Sequence, residues 1–371
     1  MSLRVLFQSH HGIGRMYGGG PSVISNLAAE LGKIGVEVTF HDYWKHDPKH
    51  FDLVHYFSCY GNQNWLGPLP GDPPLVVTPI TWWDHPWKTR AINALKHAAR
   101  VVRHRTTDRR RLGDPYAMPD HWFPNSEGEA HHFSRAVQVP RSKMTIVPHG
   151  VARRFAEGDA TRFEQEFGLR DFVLCVGRFE YPRKNQLALV RALKSDDVPL
   201  VFIGGPDLAH ASYYDQCQAE AGPNTRFLGP IAHDDPRLAS AYHACKVIVQ
   251  PALLESPGLS GLEGALAGAN VATTEGGSTR EYFAEHAWYF DPHDARTIRS
   301  AVLSAYHAPR AGALRARVLA HYTWDRIAVT QKAAYEHVLV EPSRSPLNRN
   351  ERRETCGLRR SPPSSGRVPR P

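Results

Sequence analysis

Near-continuous apolar runs of four or five residues alternate with helical-period segments along most of the chain, and this alternation restricts the fold more than any other feature. Leu3–Phe7 reads as a buried strand. Val23, Ile24, Leu27 and Leu31 then share one helical face, Gly35 ends that helix, and Val36–Phe40 is the next strand. Leu53–Phe57 and Leu75–Thr78 are further short strands. A second series starts after Val147-Pro148-His149-Gly150. Its strands read as Phe172–Val176, Leu200–Ile203, Arg226–Leu228, Val247–Val249 and Val271–Thr273, with helical patterns at 185–194, 212–221, 235–244, 260–268 and 294–306. Such apolar runs belong to parallel strands covered on both faces. Strand–helix–strand repetition, twice over, predicts two doubly wound α/β domains with a boundary near 150–165. The last helix is expected over Trp324–Leu339.

A length of 371 residues agrees with two domains, and an apolar content of 42% suffices for a core in each. Residues 343–371 are rich in Arg, Ser and Pro and nearly free of apolar side chains, so they read as a disordered basic tail. Lys and Arg outnumber Asp and Glu by 45 to 37, a formal charge of +8. That surplus suits a phosphate-bearing substrate, another acidic ligand or an anionic membrane surface, and equally a basic protein with none of these. Cys59, Cys175, Cys217, Cys245 and Cys356 form no C-x-x-C pair, which points to a reducing compartment and away from zinc. Cys175 lies in an apolar run and reads as a buried thiol. Met1–Phe7 lacks the regions of a signal peptide, and no stretch approaches the roughly 20 apolar residues that span a bilayer. A cytoplasmic protein is expected, with peripheral contact to an anionic membrane from that side as an added option.

Three segments at strand ends carry chemistry. The first is Gly177-Arg178-Phe179-Glu180-Tyr181-Pro182-Arg183-Lys184-Asn185, between a strand and a helix. Ligands of open α/β sheets bind beyond the carboxyl ends of strands, so Arg178 and Lys184 are placed for a diphosphate or are solvated surface charges. The second segment runs from Pro251 to Glu263, after the strand Val247–Val249, with seven residues between Glu255 and Glu263. Ser260 is a plausible N-cap, which puts Glu263 at the third helical position of a capping box. Glu255 has no capping role, and Gly258 permits close backbone approach to a ligand. The third segment, Gly18-Gly19-Gly20-Pro21, opens the first helix. It is not G-x-G-x-x-G, and supports a dinucleotide poorly.

Together these segments resemble the retaining glycosyltransferases of family 4, which have the GT-B fold. Arg178 with Lys184 matches the family's Gly-Arg and following Lys; Glu255 and Glu263 match its Glu-x7-Glu; Gly276-Gly277 with Glu281 matches the segment beyond. Val147-Pro148-His149-Gly150-Val151 resembles the hinge-entering PNGV, with His149 for Asn, and Tyr322-Thr323-Trp324-Asp325 resembles the F-x-W of the closing helix. The resemblance implies two Rossmann-like domains facing across a cleft: an acceptor-side domain over 1–152, a donor domain over 153–323, and a closing helix over 324–342 that packs back towards the first. It also implies roles. Arg178 and Lys184 hold the donor diphosphate, Glu255 faces the sugar hydroxyls, and Glu263 holds the ribose. Backbone amides of Gly258, Leu259 and Ser260 meet sugar and phosphate, Gly19 and Gly20 approach from the other domain, and Ile231 lies near the nucleobase. The expected substrates are a nucleoside-diphosphate sugar and a glycan or lipid-linked acceptor. No metal, cofactor or nucleic acid is expected.

One departure concerns the family's His after the strand V-x-T-x-H. Here Ile80 or Thr81 falls at that position, and Asp84 or His85 is either its substitute or part of a surface loop. Trp82, Trp83 and Trp87 are a stacking platform or core aromatics. Arg103-His104-Arg105 and Arg109-Arg110-Arg111 are a docking patch for anionic headgroups or a solvated face. The leading reading is a hexose-transferring retaining enzyme of polysaccharide or glycoconjugate assembly. A sugar-nucleotide epimerase of the same fold and a non-catalytic nucleotide-sugar-binding protein are the alternatives.

Overall fold

In the computed structural model every strand pairing is parallel. The structure describes residues 2–9, 13, 18–57, 72–82, 86–104, 107, 116, 118–206, 208–310 and 312–340. The first part runs β1 (Leu3–Ser9), α1 (Gly19–Lys33), β2 (Val36–Phe40), β3 (Leu53–Phe57), β4 (Leu75–Thr78), α2 (Pro86–His104), β5 (His121–Trp122) and α3 (Glu127–Val137). The second runs α4 (Thr161–Phe167), β6 (Val173–Val176), α5 (Gln186–Leu193), β7 (Leu200–Ile203), α6 (Ala211–Glu220), β8 (Thr225–Phe227), α7 (Pro236–Ala244) and β9 (Val247–Gln250). It continues through α8 (Leu259–Leu266), β10 (Asn270–Thr274), α9 (Thr279–Phe283), β11 (Trp288–Phe290), α10 (Ala295–His307), α11 (Gly312–His321) and α12 (Trp324–Val340).

The sheet orders are β2-β1-β3-β4-β5 and β11-β10-β9-β6-β7-β8. Each reverses direction once, between β1 and β3 and between β6 and β9, as doubly wound sheets do. The expected strands are present within a residue or two. Those missed, β5 and β11, are two and three residues long, too short for a pattern. Buried side chains cover both faces of each sheet: β3 and β4 are buried at every position, as are β7, β9 and β10. Cys175 is buried, as expected, and burial pushes its thiol up to about 12.

The chain crosses between the sheets twice, side by side. Val151 N–H donates to the Tyr322 carbonyl at 2.7 Å and Trp324 N–H to the Val151 carbonyl at 3.1 Å. A Cβ on Gly150 would stand 2.8 Å from the Trp324 ring, so only glycine fits there. Beyond the second crossing α12 lies on the first sheet, not the second. Trp324, Ile327, Tyr335 and Val338 complete the core formed by Val5, Phe7, Leu53 and Phe57. Tyr335 Oη and His55 Nδ1 are hydrogen-bonded at 2.6 Å, and His55 Nε2 meets Thr78 Oγ1 at 2.8 Å, all three side chains being buried. No helix among the described residues is long and apolar enough to cross a membrane. The basic tail, Cys59, Cys356, Trp83, Asp84, His85, Arg105 and Arg109–Arg111 lie outside the described residues.

Trp324→Ala removes the largest side chain that α12 contributes to the first core. Loss of about 3–5 kcal/mol is expected, a fall in melting temperature of roughly 10 °C by calorimetry. His149 supplies a second test. Its imidazole is buried against Trp324, its Nε2 has no partner, and burial holds its pKa down at about 4. The unfolded chain takes up that proton near the ordinary value of 6.5, so stability present above 6.5 is lost as pH falls towards 4. Between pH 8 and pH 4 wild type should lose about 3 kcal/mol more than His149→Asn in urea titrations. A difference that stays constant with pH contradicts this.

Candidate functional site between the two sheets

The reversal of the second sheet between β6 and β9 opens a crevice at the strand ends. Arg178 and Lys184 follow β6, and Glu255 follows β9. Lys184 Nζ donates to Glu255 Oε1 at 2.6 Å, with side chains 25% and 11% exposed, so the pair is largely shielded from water. Asn185 laces the same two loops together, its Nδ2 donating to the Pro251 and Pro292 carbonyls at 3.1 and 2.8 Å. Arg178 stands at the end of β6 with Nη2 on Glu180 Oε2 at 2.9 Å. Arg183 holds both oxygens of Glu180, and its hydrogen bonds, followed by those of Arg178, draw that carboxyl down to about 2.

Glycine geometry sets the start of α8. Gly258 is its N-cap at φ 87, and a Cβ there would overlap the Gln250 amide at 2.2 Å. The expected capping box is therefore absent. The left-handed turn at Gly258 starts the helix before Ser260, which occupies its second position and accepts from Gln250 Nε2 at 3.3 Å. Glu263 lies deeper in the helix. Its Oε2 accepts from Tyr242 Oη at 2.6 Å and its Oε1 from His233 Nε2 at 2.7 Å. Arg154 Nη2 donates to His233 Nδ1 at 2.8 Å, which leaves Nε2 as the protonated ring nitrogen. Ile231 is half-buried against the same core, just beyond Gly229 at φ 73.

Two helix N-termini meet at this crevice. Gly18 caps α1 without a side-chain hydrogen bond, Gly258 caps α8 likewise, and neither first turn carries an acidic residue. A Cβ on Gly19 would lie 3.3 Å from Leu259 Cδ1, so the two first turns face each other; Gly20 follows in the first turn of α1. Their amides and dipoles favour an anion between them. The N-terminus of α3 is different, because it is already filled. Ser126 Oγ accepts from Glu129 N–H at 3.0 Å, and the Glu281 carboxylate accepts from Glu127 and Gly128 N–H at 2.8 and 2.7 Å across the two halves. Tyr282 Oη donates to the Asn125 carbonyl at 2.7 Å, and Ser256 Oγ meets Asn125 Oδ1 at 3.2 Å.

The loop after β4 contains no imidazole among its described residues. Ile80 takes φ 45, a conformation that costs a β-branched residue about 1–3 kcal/mol. The next amide, of Thr81, donates to Glu129 Oε1 at 2.9 Å, while Asn125 N–H donates to Oε2 at 2.7 Å. Burial lifts the Glu129 carboxyl to about 7 against the pull of those two amides. Trp82 stacks on His132 at 4.4 Å, and Trp87 stands exposed at the start of α2. The roles of His233, Tyr242, Glu129 and Glu281 were not anticipated from the sequence. Glu281 had been singled out only with Gly276-Gly277, without a role, and Ser126-x-x-Glu129 carried a local signal, the spacing of a capping box.

Residues 159–318 match the family described as glycosyl transferases group 1. D-inositol 3-phosphate glycosyltransferase of Mycolicibacterium paratuberculosis is 26% identical over 319 residues, covering 80% of this chain and 69% of that protein. The protein of that name from Stackebrandtia nassauensis is 30% identical over 261 residues, covering 63% and 58%. Among solved structures, sucrose-phosphate synthase from Thermosynechococcus elongatus superposes with a TM-score of 0.70 at 18% identity, over 92% of this chain and 100% of that one. HepE of Anabaena in complex with UDP gives 0.68 at 15% identity, over 91% and 100%. The two parallel sheets, the crevice at the switch point and these likenesses agree: the chain has the GT-B fold, and its second half, over residues 159–318, matches the group 1 glycosyltransferases.

Proposed function

We propose that this chain is a retaining family 4 enzyme, moving a hexose from a nucleoside-diphosphate sugar to a glycan or lipid-linked acceptor. The observation that carries the reading is the shielded Lys184–Glu255 pair beside two uncapped helix N-termini. UDP in the Anabaena structure supports a nucleoside-diphosphate donor. The name shared by the two curated relatives supports a small or phosphorylated acceptor as one arm of the search.

In this reading the donor diphosphate lies between the first turns of α1 and α8 and takes the Lys184 ammonium and the Arg178 guanidinium. Glu255 then loses its present partner and turns its carboxylate to the sugar hydroxyls. Glu263 keeps its bonds to Tyr242 and His233 and uses its remaining lone pairs for the ribose. Ile231 lines the nucleobase side. As the bond from the anomeric carbon to the phosphate oxygen breaks, negative charge grows on the leaving nucleoside diphosphate, and fixed cations and amides stabilise it. The acceptor oxygen bonds to the same face of the sugar, and its proton passes to the departing phosphate. No covalent sugar–enzyme step is assigned to Glu255, and charge stabilisation is assigned to cations and amides. Contact with an anionic membrane surface would bring a lipid-linked acceptor to the first sheet's side of the cleft.

Glu255→Ala should lower kcat by about 10²–10³ while the donor KM stays within about threefold; equal losses in both contradict the assigned role. A thermal-shift screen over nucleotide sugars should find one that, at about 100 times its Kd, adds about 2.7 kcal/mol of stability. That donor should then be hydrolysed slowly with retained anomeric configuration. Epimerised donor, or binding without turnover across a broad acceptor panel, would replace the transferase reading by one of its two alternatives.

A further inference from the structure

Glu263 is held from two sides by donors that lie far from it in the chain. Tyr242, fully buried on α7, donates its Oη to Oε2 at 2.6 Å, and His233 Nε2, from the loop between β8 and α7, donates to Oε1 at 2.7 Å. The terminal torsion of a glutamate is broad, so a carboxylate fixed through one oxygen swings about that bond. One donor on each oxygen stops the swing and gives the remaining lone pairs a single direction. His233 is itself held. Arg154 Nη2 donates to its Nδ1 at 2.8 Å and to its carbonyl at 3.0 Å, and Phe155 packs edge-on against the ring at 5.4 Å. Arg154 follows directly on Arg153, whose guanidinium binds both oxygens of Asp325 at 2.9 and 2.8 Å. The support of the imidazole therefore starts from the crossing between the sheets and not from its own loop.

The residue type fits that task. A lysine or arginine in direct contact with Oε1 would set a full positive charge on the carboxylate and compete for the lone pairs that a ligand hydroxyl needs. The imidazole accepts from Arg154 at Nδ1 and gives one hydrogen at Nε2, so it orients the carboxylate while keeping the guanidinium charge one residue away. A histidine serving only to pack would be enclosed. This side chain keeps 39% of its surface exposed, while the carboxylate side chain it holds keeps 8%. We infer that His233, oriented by Arg154, is a positioning residue that aims Glu263 at the vicinal ribose hydroxyls of the donor. The arrangement makes the site select a ribonucleoside diphosphate over one that lacks those hydroxyls. This rests on the proposed assignment of Glu263 to the ribose and adds to it the residues that set the direction of its carboxylate.

UDP, ADP and GDP, each with its 2′,3′-dideoxy form, are titrated into the full chain by calorimetry, and the base that binds tightest is carried through the variants. Wild type should bind that ribonucleotide at least about tenfold tighter than its dideoxy form, as expected for hydrogen bonds to a charged acceptor. His233→Ala should cost the ribonucleotide about tenfold and the dideoxy form less than about threefold, so that the preference largely disappears. His233→Gln offers one acceptor to Arg154 and one donor to Glu263, and should recover affinity to within about threefold of wild type. Arg154→Met leaves the ring in place but lets its tautomer change, and should fall between the two. An equal loss for both nucleotides in His233→Ala overturns the inference, because a loosened loop does not read the hydroxyls. So does a glutamine variant no better than alanine. Glu263→Ala separates the two levels of the argument. If it still prefers the ribonucleotide, the ribose assignment fails. If it loses the preference while His233→Ala keeps it, the positioning role fails alone.

Discussion

Lys184 and Glu255 meet because the strands that carry them, β6 and β9, are neighbours at the point where the second sheet reverses its order. Parallel strands deliver every carboxyl end to one edge, and crossover helices return every helix N-terminus to the same edge. A cation, a carboxylate and unsatisfied backbone amides therefore converge without local sequence proximity. The pair sits at 2.6 Å in a setting with little water, and each charge depends on the other while no anion is bound. In the proposed reading a phosphate entering beside Lys184 would change that balance and so couple donor binding to the freedom of Glu255.

The same edge is prepared differently at each helix. Glycine caps on α1 and α8 offer their first-turn amides no side-chain acceptor, and glycine also lets the α8 turn press onto the Gln250 amide. At α3 the opposite choice is made: Ser126 and Glu281 fill the N-terminus, and the filling is itself a bond between the two halves of the molecule. Glu129, next in that helix, then fixes the Thr81 amide and the Asn125 amide together. Its carboxyl is lifted by burial and the nearby His149 imidazole is lowered by burial, so both favour their neutral forms in the folded state.

Closure of the fold depends on a long excursion. The chain leaves the first sheet at Val147, builds the whole second sheet, and returns through Thr323 so that α12 can finish the core it left. Gly150 and Trp324 are matched at the crossing, which ties the hinge to the packing of the first sheet. This connection explains why a helix at the end of the described chain controls the stability of strands at its beginning.

Fold class was legible because apolar runs and helical periods are local properties, and β1, β3, β4, β7, β9 and β10 each carry one. That Arg178, Lys184, Glu255 and Gly258 stand at strand and helix ends was legible, because those ends are set by local pattern; their roles towards a ligand belong to the proposal. The helix start at Gly258 was misread, since Ser260 is the better local cap and only contact with Gln250 selects the glycine turn. Tyr242, His233 and Arg154 around Glu263 could not be read, because 21, 30 and 109 residues separate them from it and no spacing rule links them. The chain by itself determined its elements, their parallel pairing and the charges at their ends, because these follow from short-range sterics and burial. Which charges touch and which helix ends stay open were decided only by tertiary packing, because those are distances between residues the chain order keeps far apart.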